Sequence, residues 1–275
     1  MEEIGLVNLL RRPGTPLVVK NETSGLNYEE GRDFQEVADE QLNFRWDHEG
    51  PPITLLPGTR IREGERLRVN FYHGTRIYND QTPLCMSEPK VYEIWEKGVR
   101  STHEALAPHY YLLNMDELRT GGSCEVCRKR NMTMGQILGD ALTRQQRIIR
   151  TVNPQAEVLV WSDMLDPNHN ARPDRKWYYL AEGTYTDSWK YIPQDLGIIC
   201  WYYAVRDASL KHFSSLGFQT IAGSYYDADT LENPKGWLRS LDQTTGARGI
   251  LYTTWLDKYD LLGPFGDLVS KRPEE

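Results

Sequence analysis

Tyr110-Tyr111-Leu112-Leu113-Asn114-Met115-Asp116-Glu117 is the stretch on which the fold turns. Four apolar or aromatic residues in succession, stopped by Asn114 and followed at once by two acids, read as a short buried strand with polar side chains at its end. A nearly continuous apolar run belongs to a strand covered on both faces, which is the situation in a parallel sheet under helices. Similar runs follow: Glu157 to Trp161, Ile198 to Trp201, Phe218 to Ala222 and Gly249 to Tyr252. Helical patterns lie between them. Thr133 caps one whose face carries Ile137, Leu138, Ala141, Leu142, Ile148, Ile149 and Val152, closed by Asn153-Pro154. Another holds Leu210, Phe213 and Leu216 and stops at Gly217, and a third starts at Asn233-Pro234 with Trp237, Leu238 and Leu241.

Upstream, Ser87-Glu88-Pro89 opens a helix through Val91, Ile94, Trp95, Val99 and Leu106, which Pro108 ends. Before it, Leu67 to His73 alternates like a strand and is taken as the first of six β/α units. The first sixty-odd residues differ: short apolar runs at Pro16–Lys20 and Ile53–Leu56, with Pro57-Gly58 as the turn of a hairpin reaching Ile61. The expected organisation is an N-terminal β-rich segment, 1–65, followed by a (β/α) domain, 66–275. No G-x-G-x-x-G or phosphate loop follows a strand, which disfavours a nucleotide-binding sheet. A TIM-type (β/α) barrel is the expected fold, incomplete because six units fall two short of closure. Its open edges need a cover, from the N-terminal segment or from a second copy in a homodimer or higher homo-oligomer.

The residues just past each strand carry the functional reading, because ligands bind at the C-terminal ends of parallel strands. They are Tyr72 and His73; Asp116 and Glu117; Trp161 and Asp163; Trp201 and Tyr202; Tyr225, Tyr226 and Asp227; Trp255 and Asp257. Aromatics with nearby acids at successive strand ends describe a concave, aromatic-walled, acidic pocket, suited to a sugar and hostile to phosphate. The chain is rich in aromatics with a polar handle, 16 Tyr and 8 Trp against 6 Phe, and such rings pack against a sugar's C–H face while hydrogen-bonding at the edge. Two adjacent carboxylates raise each other's proton affinity, which favours one as a general acid. The alternative is structural, with Asp116 as a cap and Glu117 paired to Arg119 or Arg128.

The Tyr110–Glu117 stretch resembles the strand-four Asp-Glu signature of family 20 glycoside hydrolases, the β-N-acetylhexosaminidases. Trp161-Ser162-Asp163-Met164 and Tyr252-Thr253-Thr254-Trp255 are similar to that family's aromatic strand ends, and the likeness runs from Asn114 to about Phe265. In that family the substrate's own 2-acetamido oxygen is the nucleophile. The resemblance implies a β-N-acetylhexosaminidase-like hydrolase, retaining and substrate-assisted. Glu117 is then the general acid and base, and Asp116 the carboxylate that orients the acetamido group. Tyr225 or Tyr226 would bond its oxygen, and Trp161, Trp201 and Trp255 would wall the sugar. The family's first-strand Arg has no counterpart; Arg11, Arg12 and Arg60 stand in the wrong context. Two other readings remain: a retaining or inverting glycosidase using Glu117 with Asp163, and a non-catalytic carbohydrate-binding or assembly protein on a degenerate barrel. His73 and Asp163 join the candidate sugar contacts.

Composition narrows the partners. The 275 residues carry 32 Lys+Arg against 39 Asp+Glu, a formal charge of −7, the wrong sign for a nucleic-acid backbone. No apolar run approaches the roughly 20 residues of a bilayer span, and Met1-Glu2-Glu3 is acidic where a secretory signal is basic. A soluble, cytoplasmic chain with a carbohydrate partner and without cofactor or metal is the expectation. Cys124-Glu125-Val126-Cys127 lacks the two further ligands zinc requires, so Cys85, Cys124, Cys127 and Cys200 read as reduced structural thiols.

Overall fold

The computed structural model describes residues 5–42, 48–74, 77, 81–174 and 180–270; the acidic start Met1-Glu2-Glu3 lies outside them. The chain divides into two compact units, Met1–Pro83 and Leu84–Glu275.

In the first unit β1 (Val18–Asn21) is the centre of a three-stranded antiparallel sheet, between β2 (Asn27–Tyr28) and β3 (Leu67–Asn70). Leu6, Leu9, Val19, Tyr28, Phe34 and Val37 form its core. The stretch expected to open the (β/α) domain is therefore a strand of a different sheet. Leu67 and Val69 point inward and Arg68 and Asn70 outward, the one-sided burial of an antiparallel surface sheet. The hairpin expected at 53–61 does not pair: the turn closes, Thr59 N–H donating to Leu56 O at 3.1 Å, but Leu55 makes only an isolated bridge to Phe34. Asp33 is fully buried and takes an ion pair from Arg60 at 2.5 Å; the guanidinium's hydrogen bonds hold its carboxyl well below the usual range.

The second unit runs α1 (Pro89–Leu106), β4 (Tyr110–Leu113), β5 (Thr120–Gly121), α2 (Glu125–Arg128), α3 (Met134–Val152), β6 (Glu157–Trp161) and β7 (Leu180–Ala181). It continues with β8 (Gly197–Cys200), α4 (Arg206–Ser215), β9 (Gln219–Tyr225), α5 (Glu232–Leu241), β10 (Ala247–Thr253) and α6 (Leu262–Ser270). Five strands form one sheet in the order β10-β9-β8-β6-β4, every pair parallel, and the sheet curls as a half barrel. Five strands, not six, make the incomplete barrel, because the Leu67 strand belongs elsewhere. β5 and β7 pair separately, also in parallel.

Local signals account for the helices. Glu88 caps α1 through Lys90 N–H and Pro89 is its first residue. Thr133 and Gln136 form a reciprocal capping box on α3, whose buried face holds Ile137, Leu138, Ala141, Leu142 and Ile149. α3 approaches the segment ahead of β8 so closely at Gly139 that a Cβ would lie 2.4 Å from Tyr191 Cβ. β8 is buried at all four residues. The pairs Leu113↔Val160, Trp161↔Ile199, Cys200↔Ala222 and Tyr225↔Thr253 bring the strand C-termini to one edge of the sheet. Among the described residues no helix is long and apolar enough to cross a membrane.

Candidate functional site

At that edge the second unit holds a cavity of about 430 Å³. Asp116 and Glu117, past β4, line it together with Trp161 from β6, Trp201 after β8, Tyr226 after β9 and Trp255 after β10. Six of the nine sequence-predicted site residues are thus brought to one concavity. Trp201 and Tyr226 stack nearly parallel, centroids 6.2 Å apart at 7°, and Trp255 lies 6.2 Å beyond Tyr226, tilted at 57°. Gly223 in β9 makes the close approach possible, since a Cβ there would come within 3.0 Å of Trp161 Cζ3 and 3.2 Å of Trp201 Cβ. Trp255 is 67% exposed and Tyr226 48%, so the outer wall offers bare ring surface to a ligand.

Asp163 does not face the cavity. It is 0% exposed, and its oxygens are committed: Oδ2 accepts from Glu117 N–H at 2.8 Å and Asn170 Nδ2 at 3.0 Å, Oδ1 from Trp201 Nε1 at 3.3 Å. The expectation of a sugar contact or second catalytic carboxylate there is corrected, because a sealed carboxylate cannot reach an anomeric carbon. Its work is to hold the backbone of Glu117 and the ring of Trp201. Burial pushes Asp163 up to about 7, against the hydrogen bonds from Glu117 and Asn170 and with a further push from the charge of Asp116.

Tyr225 is likewise corrected. It is buried and stacked on Tyr252 at 4.2 Å and 15°, leaving Tyr226 as the tyrosine of the pair that reaches the cavity. Burial, then the charges of Glu117, Asp116 and Asp163, raise the Tyr226 phenol above its ordinary value, so it stays a hydrogen-bond donor. His73 belongs to the first unit, where it bridges Leu9 and its Nδ1 lies 3.0 Å from Gly74 O; every residue lining the cavity belongs to the second unit. Arg11 pairs with Glu30, and Arg60 with Asp33 and Glu29.

Glu117 carries one interaction that matters for its chemistry. Its Oε2 is ion-paired with Nη2 of the buried Arg119, one of the two partners the sequence suggested. The other carboxylate oxygen is the one left for a ligand. The backbone around these groups is strained: Met115 (φ 58°), Glu117 (φ 44°) and the run Tyr225, Tyr226, Asp227 (φ 85°, 61°, 58°) all occupy the left-handed region without being glycine. Asp227 pins the loop that bears Trp255, accepting from Trp255 N–H at 2.6 Å, Leu256 N–H at 3.2 Å and the Thr254 hydroxyl. Burial opposes its ionisation, but those hydrogen bonds outweigh it and hold the carboxyl below its usual range.

Tyr252, Thr253, Thr254 and Tyr259 also line the cavity and were not among the expected site residues. The first three could have been read from their place at the end of β10; Tyr259 sits in a loop with no strand-end signal.

The chain is similar to a solved structure, the β-N-acetylhexosaminidase from Bacteroides fragilis, at 16% identity and a TM-score of 0.40, over 64% of this chain and 36% of that one. No family model matches the chain, and no curated protein does. A likeness at that level decides neither fold nor chemistry; the fold rests on the strand order and the chemistry on the cavity.

Proposed function

We propose that the cavity takes a terminal 2-acetamido sugar and that the chain is a glycoside hydrolase acting through Asp116 and Glu117. The observation that supports it is the convergence of an adjacent carboxylate pair with Trp161, Trp201, Tyr226 and Trp255 at the C-terminal ends of parallel strands. In this reading Trp201, Tyr226 and Trp255 present ring faces and edges to the pyranose. Glu117 protonates the glycosidic oxygen as the bond to the anomeric carbon breaks. The acetamido oxygen forms the new bond to that carbon, and Asp116 accepts from the acetamido N–H as positive charge develops there. Glu117, now ionised, takes a proton from water, which opens the cyclic intermediate with retention. The sealed position of Asp163 favours this scheme over one with two protein carboxylates across the sugar, since Asp163 cannot supply the second.

Sugar binding without turnover is the second reading, and the Glu117–Arg119 ion pair favours it, because the proton donor is tied to a guanidinium. A panel of aryl glycosides with and without the 2-acetamido group separates the two. Hydrolysis confined to the 2-acetamido members and abolished by Glu117→Gln supports the hydrolase. Saturable binding of the same sugars, with no turnover in the wild type, replaces it with the binding module. Cleavage of plain glucosides sinks the substrate-assisted scheme.

A further inference from the structure

Outside the pocket, three thiols that the sequence left as separate structural residues come together. Cys85, from the segment ahead of α1, has its Sγ 3.4 Å from Cys124 Sγ and 3.6 Å from Cys127 Sγ. All three sulfurs lie within 4.8 Å of one another. Cys124 and Cys127 are held by the α2 turn, in which Cys127 N–H donates to Cys124 Sγ at 3.4 Å. Among the described residues this is the one group of metal-ligand type so assembled. Three thiolates on a tetrahedral Zn²⁺, at Zn–S distances of about 2.3 Å, stand about 3.8 Å apart, close to the spacing found.

We propose that Cys85, Cys124 and Cys127 bind one Zn²⁺, with the fourth position open to solvent on the exposed side of Cys124. The third protein ligand the Cys-x-x-Cys needed comes from 39 residues upstream of Cys124, which is why spacing alone could not supply it. Binding displaces three thiol protons to the buffer and leaves three thiolates, one metal ion and a net charge of −1. The surroundings are suited to that charge. Ser87 is buried beside Cys127 at 3.3 Å, and Arg130 Nη1 donates to its oxygen at 3.1 Å. Once Cys127 has lost its proton, the Ser87 hydroxyl hydrogen turns to the thiolate while the guanidinium holds the oxygen, the second layer that thiolate metal sites require. The ion would tie the segment between the Asp116–Glu117 loop and α3 to the segment ahead of α1.

The test uses the full chain purified under reducing conditions without added chelator. Elemental analysis is expected to give one zinc per chain. Replacement by Co²⁺ is expected to give the intense visible bands of a tetrahedral site with a thiolate charge-transfer band in the near ultraviolet. Cys85→Ser, Cys124→Ser and Cys127→Ser each lower bound zinc to less than a tenth, while Cys200→Ser, in β8 and outside the cluster, retains it. Cobalt titration of the reduced wild type keeps the proposal falsifiable if a variant fails to fold. No stoichiometric zinc together with no cobalt spectrum overturns it. So does zinc that survives all three substitutions, or a disulfide among these cysteines in protein prepared without air.

Discussion

Asp163→Asn removes a sealed charge without changing its size, and the structure fixes what should follow. Wild-type Asp163 has a folded value of about 7 against an ordinary 3.8. Below about pH 4 the proton is bound in both folded and unfolded chains, and the group has no effect on stability. Between those values the folded chain keeps a proton the unfolded chain has lost, so stability falls as pH rises; above about 7 the full penalty, about 4 kcal/mol, is in force. From pH 5 to pH 8 the wild type should lose about 3 kcal/mol through this one residue, a loss the asparagine variant cannot show. The substitution has its own pH-independent cost. An amide offers one oxygen, which can serve Glu117 N–H and Asn170, but its NH₂ then faces Trp201 Nε1–H, and the unpaired donors cost about 1–3 kcal/mol.

The variant should therefore lie within about 1 kcal/mol of the wild type at pH 5, where its own cost and the ionisation penalty of about 1–2 kcal/mol nearly cancel, and be the more stable protein at pH 8. Urea unfolding followed by tryptophan fluorescence reads this out, because every tryptophan among the described residues lies in the second unit. Parallel stability curves for the two proteins between pH 5 and 8 would show that Asp163 is not held protonated by burial, and the reasoning would fail.

Leu142→Ala, at a fully buried position on α3, should cost about 2–5 kcal/mol, whereas Leu106→Ala, 75% exposed at the end of α1, should stay within about 0.5 kcal/mol in the same urea assay; equal effects would refute the assigned core. Asp227→Asn should release the Trp255 loop and weaken sugar binding, with global unfolding little changed. In the wild type the Asp227 carboxyl stays ionised through the ordinary carboxylate range and the tether is lost only as pH falls through its depressed value below that range, so Trp255 fluorescence should shift there in the wild type and not in the variant. Glu117→Gln, measured by the glycoside panel, should abolish turnover while leaving sugar binding in place.

The parallel sheet was legible because its strands are written as continuous apolar runs. β8, buried at every residue, and β6, buried at its three central residues, sit in the middle of the sheet, where both faces are covered. Leu67 to Asn70 alternates, and period two is the mark of a strand with one wet face, which suits an antiparallel surface sheet and not the covered parallel one in which it was expected. α3 was legible to its cap, since Thr133 and Gln136 stand three residues apart at the start of the apolar period. The carboxylate pair and four aromatics of the cavity were legible as strand ends. What sequence could not convey was direction: nothing in Ser162-Asp163 or Tyr225-Tyr226 says which neighbour turns inward. The same limit hid Cys85, whose partnership with the Cys-x-x-Cys exists only through the fold.

Backbone strain at the pocket ties these observations together. Left-handed conformation costs a non-glycine residue about 1 kcal/mol or more, and five such residues lie in the two loops that carry Asp116–Glu117 and Tyr226. Each strained segment is fastened by a side-chain acceptor from elsewhere in the unit. Asp163 takes the N–H of Glu117 and Asn233 Oδ1 takes that of Tyr225 at 2.9 Å, while Asp227, itself in the strained run, in turn takes those of Trp255 and Leu256. An unfastened chain would relax these residues, turning the Glu117 carboxylate and the Tyr226 ring away from a common point. Folding stability alone gives no reason to hold an acid pair and an aromatic wall in unfavourable conformations at the same sheet edge. A ligand that needs both at once does, and that makes the cavity, more than any single residue in it, the argument for function.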